Sequence, residues 1–271
     1  MSLVPSSLKA SGAYDTDPGR ARPLLDRLFG GSDAWFYLRI TRVVFAGSLK
    51  AVAGRYDSNF WQKQSTDILE IVEDCRGRVH ISGMRELFGI AGPVVYAANH
   101  MSVLETLLLP GILLSFGDVS FVVKESLLRY PLFGPIMRAV NPICVRRMNP
   151  REDLKEVLVR GTEYLQGGRS VMVFPQATRQ VRFDPGAFNT LATKLAARAG
   201  VPVVPIALKT DFVGVGRLIK EFGRVDRQKP IHIRFGPPLP VTGTGRETQA
   251  QVVDFISASL REWGGEVANG S

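Results

Sequence analysis

Cysteine is nearly absent: Cys75 and Cys144 are the only two in 271 residues, and they lie far apart without metal-type spacing. That excludes a disulfide framework and a thiolate metal site, and it suits reduced thiols in a cytosolic setting. Long apolar runs are missing too. None reaches the ~18 residues that a bilayer-spanning helix needs, and the first residues lack the basic-then-apolar pattern of a secretory leader. Any membrane contact is therefore expected to be peripheral. Histidine is scarce, and two of the three, His80 and His232, fall in the strand-like runs RVHIS and PIHIRF, where ordinary sheet residues are expected rather than ligands. Acidic residues are in the minority, 25 against 34 lysines and arginines, giving a net charge of +9 that favours polyanionic partners. Basic residues are not interleaved with aromatics in a dense tract, and no helix carries a basic reading face, so nucleic acid is not an expected partner. Internal repeats and low-complexity segments are also lacking.

What is present is enough apolar residue, 45% of the chain, to bury the core of one large domain. From Arg78 onward, short apolar runs (RVHIS, PVVYAA, SFVVK, PICVR, SVMVF, VPVVPIAL, IHIRF) alternate with helical stretches. This predicts an α/β fold with a central, mostly parallel sheet flanked by helices over residues 78–265. Before it, residues 33–77 predict an N-terminal helical pair, one helix over 33–54 and one over 58–75. Residues 1–32, rich in small and polar types, predict a flexible segment, and GEVANGS a loose C-terminus.

The remaining histidine, His100, lies in NHMSVLET, five residues before Glu105 and just after the run PVVYAA. An imidazole beside a carboxylate can take a proton from an alcohol while the carboxylate fixes its tautomer. Five residues of continuous helix would set the two side chains roughly 140° apart, so they cannot share a helical face. His100 is therefore placed in the turn leaving a strand, and Glu105 in the first turn of a helix starting at Ser102. A structural alternative stands beside this: Ser102-x-x-Glu105 is also a capping box.

Three further segments accompany it: NPICVRR (141–147), VFPQATR (173–179) and VPVVPIAL (201–208). In this order and spacing the four resemble the motifs of the lysophosphatidate (glycerolipid) acyltransferase family: histidine-x4-aspartate, an arginine-ending strand, FPEGTR and a proline-flanked apolar strand. The resemblance covers about residues 79–240. It implies a glycerolipid-acyltransferase-like fold with His100 as general base and Glu105 as its orienting acid. It also implies Arg147 and Arg179 as phosphate ligands, with Thr178 beside them. The co-substrate would be acyl-coenzyme A or acyl-carrier protein, with no resident cofactor or metal. Arg146 is ranked below Arg147, because strand neighbours point to opposite faces. Lys124, after the strand SFVVK, and Asn99 are ranked lower as pocket residues. The chain departs from the family at Glu105, where aspartate is usual, and at Gln176 and Ala177, where glutamate and glycine are usual. Gln176 makes the pocket more positive, which predicts tolerance of a more anionic or bulkier acceptor.

The implied reaction esterifies a lysophospholipid, with 1-acyl-sn-glycerol-3-phosphate as the leading acceptor and phosphatidate as product. A lyso-ornithine lipid or saccharolipid is the alternative acceptor, and an idle lipid-binding protein of the same fold is the alternative class. On a helix over 33–54, Arg39, Arg42 and Lys50 fall within about 80° of one another amid apolar residues. That pattern fits either an interfacial helix on the inner leaflet of the cytoplasmic membrane or a core helix with snorkelling arginines. No feature specifies an oligomeric state.

Overall fold

The computed structural model describes residues 11–176, 178–216 and 219–268, and an eight-stranded sheet is its spine. Strand β1 (Tyr14–Asp15) and the short helix α1 (Leu24–Phe29) precede a helical pair, α2 (Asp33–Val52) and α3 (Ser58–Asp74). Then come β2 (Val79–Ser82), β3 (Val95–Ala98), α4 (Leu104–Leu113), β4 (Val119–Lys124), α5 (Phe133–Ala139) and β5 (Ile143–Val145). The chain continues through α6 (Pro150–Gln166), β6 (Ser170–Val173), α7 (Leu191–Ala199), β7 (Val203–Lys209), β8 (Ile231–Phe235) and α8 (Arg246–Glu262). The strand order is β1-β2-β8-β7-β3-β6-β4-β5, parallel except where β1 meets β2 and β7 meets β8.

Both faces of the sheet are covered, which is why its strands are continuous apolar runs. Along β3, Tyr96 and Ala98 face the side packed by α2, α3 and α4, while Val95 and Ala97 face the side packed by α6, α7 and α8. The period of two along the strand thus feeds two separate cores. Local chemistry sets the helix limits. Asp57 accepts the Phe60 amide to start α3, Asn149 accepts the Arg151 amide to start α6 ahead of Pro150, and Gly200 ends α7 at φ 69°. Ile68, Leu69, Ile71 and Val72 turn the buried face of α3 inward.

Three expectations are corrected. Within the segment expected to be flexible, residues 1–10 lie outside the described residues, but 11–32 are tied down. Strand β1 extends the sheet, the Tyr14 and Thr16 hydroxyls donate to Glu73 at 2.5 and 2.6 Å, and Arg20 pairs with Asp74. The cause is long-range: Glu73 and Asp74 are buried at the end of α3 and need donors. At the other end, Phe183 exchanges backbone bonds with Glu266 and Ala268, so the tail is pinned as far as the described residues run. Finally, Arg39 does not join an outward basic stripe, because its guanidinium turns in to Asp26 and Asp74. His80 and His232, paired in register on β2 and β8, stack at 4.9 Å.

Candidate active site

Strands β3, β4, β5, β6 and β7 run parallel, so the residues leaving their C-terminal ends gather at one edge of the sheet, where α/β folds bind ligands. His100 leaves β3, Lys124 ends β4, Arg147 follows β5, Gln176 follows β6 and Thr210 follows β7. Helix α4 begins at Leu104, two residues later than expected, and carries Glu105 into its first turn.

Glu105 is fully buried and takes five donors: His100 Nδ1 at 2.9 Å, the Met101 amide at 2.6 Å, the Ser102 amide at 2.8 Å, and the Ser102 and Thr210 hydroxyls. One carboxylate thus holds both the imidazole and the Ser102 amide, but α4 has its N-cap at Val103, without a side-chain cap bond, so Ser102 and Glu105 do not form the reciprocal capping box. Burial pushes the Glu105 carboxyl upward. The hydrogen bond and charge of His100, with the bonds from Thr210 and Ser102, outweigh burial and hold it below the usual carboxylate range. An ionised carboxylate only accepts, so Nδ1 carries the proton and Nε2 of the neutral ring is left as the base. Phe174 stacks on the ring at 4.3 Å between centroids, limiting its rotation.

His100 lines a cavity of about 1050 Å³. Its lining includes the apolar Phe36, Ile40, Val44, Trp61, Leu104 and Phe121 and the polar Lys124, Arg147, Thr178, Arg179, Lys194 and Lys220. Arg147 reaches this cavity from a left-handed backbone, φ 60°, fixed where Asp153 accepts the amides of Arg146 and Arg147 at 2.8 and 2.7 Å. The Arg146 side chain goes instead to Glu125 and is largely exposed. Arg179 pairs with Glu221 at 2.8 Å, a carboxylate that also lines the cavity. Gln176 accepts the His100 amide through Oε1 at 2.7 Å. Ala177 lies outside the described residues.

A family model described as Acyltransferase matches residues 76–209. The chain is 31% identical over 176 residues to the 1-acyl-sn-glycerol-3-phosphate acyltransferase of Pseudomonas aeruginosa, covering 65% of each chain. The family-model match falls on the α/β domain and takes in His100, Glu105, Arg147, Gln176 and Arg179. Against the chloroplastic 1-acyl-sn-glycerol-3-phosphate acyltransferase LPAT1 of Arabidopsis thaliana the chain is 34% identical, over 57% of itself and 44% of that protein. It is 26% identical to the lyso-ornithine lipid O-acyltransferase of P. aeruginosa over 59% of itself and 64% of that protein. The chain thus spans just under two thirds of the first of these relatives and less than half of the second. In fold it resembles the crystal structure of the acyltransferase PlsC from Thermotoga maritima, with a TM-score of 0.59 and 20% identity over 92% of this chain and 97% of that one.

Within the α/β domain, the cavity brings together His100, Lys124, Arg147, Gln176, Thr178 and Arg179, but not Arg146. Asn99 is also removed from the pocket: its amide exchanges two bonds with the backbone of Leu208, 2.7 and 2.8 Å, and stitches β3 to β7. Of the leucines following the dyad, Leu107 lines the cavity, while Leu108, Leu109, Ile112 and Leu113 are buried core. Sequence reasoning passed over Thr210, Asp153 and Glu221. Thr210 had one available signal, its position just past the end of a strand that pairs with the His100 strand.

Thr210→Val removes one donor from the buried carboxylate and should cost about 1.5–3 kcal/mol at neutral pH, measured by urea unfolding. Because the folded Glu105 carboxyl is held low, this stabilisation is present above its unfolded value near ~4.3 and is lost as pH falls through the folded value. The gap between wild type and variant should therefore narrow in acid. A gap independent of pH would contradict the charged network.

Proposed function

We propose that the chain transfers a fatty acyl group from a thioester, acyl-coenzyme A or acyl-carrier protein, to the free hydroxyl of a lysophospholipid. The leading acceptor is 1-acyl-sn-glycerol-3-phosphate and the product phosphatidate. One observation carries the reading: an imidazole with its Nδ1 fixed on a buried carboxylate stands at a large cavity whose lining holds both apolar and cationic side chains. His100 Nε2 takes the hydroxyl proton as the lipid oxygen attacks the thioester carbonyl, forming the C–O bond. The tetrahedral intermediate then collapses, the C–S bond breaks, and the departing thiolate takes the proton back from the imidazolium. Arg147 and Arg179 supply guanidinium forks for the acceptor phosphate, with Lys124 and Thr178 nearby on the same cavity.

A second acceptor is favoured by Glu221. Its carboxylate, beside Arg179 in the cavity lining, suits an amine, which a lyso-ornithine lipid offers and lysophosphatidate does not. A mass-spectrometric screen of the purified protein against lysophosphatidate, lyso-ornithine lipid and saccharolipid acceptors separates the two. The expected outcome is acylated product with stoichiometric thiol release, cut by about 10³-fold or more in His100→Ala, the order of loss for removing a group on which the proton transfer depends. Lipid binding with no turnover on any acceptor would favour the idle lipid-binding reading instead.

For localisation, we propose peripheral attachment to the inner leaflet of the cytoplasmic membrane. No helix among the described residues is long and apolar enough to cross a bilayer. Leu24, Leu25, Leu28 and Phe29 on α1 and Leu38, Phe45, Leu49 and Val52 on α2 are about half exposed or more, in the manner of an interfacial helix. Leu28→Ser and Leu49→Ser should each weaken co-sedimentation with anionic vesicles by about tenfold if that face enters the acyl boundary. Unchanged sedimentation in both would remove this face from the account.

A further inference from the structure

Among the buried side chains described at this edge, Gln176 is left with its hydrogen bonding half finished. Its side chain is 3% exposed and lines the cavity beside His100. The orientation of the amide is fixed by chemistry: the His100 backbone N–H can only donate, so the atom facing it at 2.7 Å must be Oε1. Nε2, on the same carbon, is then a buried donor, and it has no hydrogen-bond partner among the described residues. Buried donors are nearly always satisfied, and a strand-end loop that could relax to satisfy this one is held from relaxing. The Gln180 amide donates to the His100 carbonyl, and Asn189 donates to the carbonyl of Pro175 through its backbone and side-chain N–H groups. The loop and the histidine are therefore clamped together with an N–H left over.

We infer that Gln176 Nε2 is a catalytic hydrogen-bond donor to the thioester carbonyl oxygen, stabilising the negative charge which that oxygen gains when the lipid hydroxyl adds. This inference rests on the acyl-transfer reading above. Two features select the reacting oxygen over the acceptor phosphate. The donor is neutral and buried against the main chain of the base itself, whereas Arg147 and Arg179, the guanidinium forks proposed for the acceptor phosphate, are charged and are exposed and half-buried respectively. A donor whose orientation is already fixed also acts most strongly on charge that develops during reaction. A glutamate here, as in the motif that the chain resembles, could accept the same His100 amide but would present a second acceptor, or an anion, to the oxyanion. The glutamine thus adds a function that the glutamate lacks when ionised.

The test is steady-state kinetics of thiol release with one acyl thioester and a panel of lysolipids. Gln176→Glu keeps an oxygen for the His100 amide and deletes the donor; Gln176→Met, of similar volume and uncharged, serves should the buried charge prevent folding, and thermal melts establish which variants are folded. Removing one oxyanion donor is expected to lower kcat by about 10²-fold or more, with KM for each lysolipid within about twofold and the acceptor ranking unchanged. A kcat within about threefold of wild type, a loss confined to KM, or a reordered acceptor ranking overturns the inference and returns Gln176 to acceptor binding. If wild type itself releases no thiol with any acceptor, the acyl-transfer reading has failed, and the inference falls with it.

Discussion

A carboxylate with no exposure to water is among the costliest things a fold can contain, and Glu105 is tolerated only because its neighbourhood is built around it. The amides of Met101 and Ser102 and the hydroxyls of Ser102 and Thr210 converge on it from two strand ends and the start of α4. Its remaining partner is the imidazole of His100. The charge thus does three things at once: it holds the turn before α4 through the Met101 and Ser102 amides, it ties the β3 exit to the β7 exit, and it decides which nitrogen of a neutral His100 is protonated. Deleting it would leave several buried donors without acceptors, so structural and chemical roles cannot be separated at this position. The extra methylene relative to aspartate is absorbed because Glu105 sits one residue into the helix and bonds back to the loop before it.

The second hold on His100 comes from the opposite side. Its amide is accepted by Gln176 and its carbonyl by the Gln180 amide, so the segment after β6 grips the backbone while Glu105 grips the ring. Phe174 adds a stacked face. Positioning from three directions by a rigid parallel sheet is what a proton-transfer group requires, since misplacement of about 1 Å is enough to cost about 10²-fold in rate. The cavity in front of this group is lined by apolar side chains, those of α2 and α3 among them, and by polar ones from the strand ends and the segment around Arg179.

Much of this was legible in the order of residues. The apolar runs mark the strands because the sheet is buried on both faces, and Asn149-Pro150 and Gly200 mark helix limits because their backbone preferences are local. The spacing of His100 and Glu105 was informative for the same reason: five residues are too many for one helical face and enough for a turn plus a cap. What escaped reading depends on partners distant in sequence. Tyr14 meets Glu73, Arg39 meets Asp26 and Asp74, Asn99 meets Leu208 and Thr210 meets Glu105, and local composition contains no trace of these pairs. Arg146 and Arg147 diverge for a different reason, because they lie beyond the end of β5 and Arg147 takes a left-handed turn anchored by Asp153.

The account depends on a neutral His100 protonated at Nδ1, and nitrogen NMR of the histidine ring measures this directly. In wild type at a pH where the ring is neutral, the Nδ1–H tautomer should dominate for His100, and Glu105→Gln should weaken that preference. A neutral His100 that carries its proton on Nε2 would contradict the account, because the nitrogen facing the cavity could then accept nothing from an incoming hydroxyl.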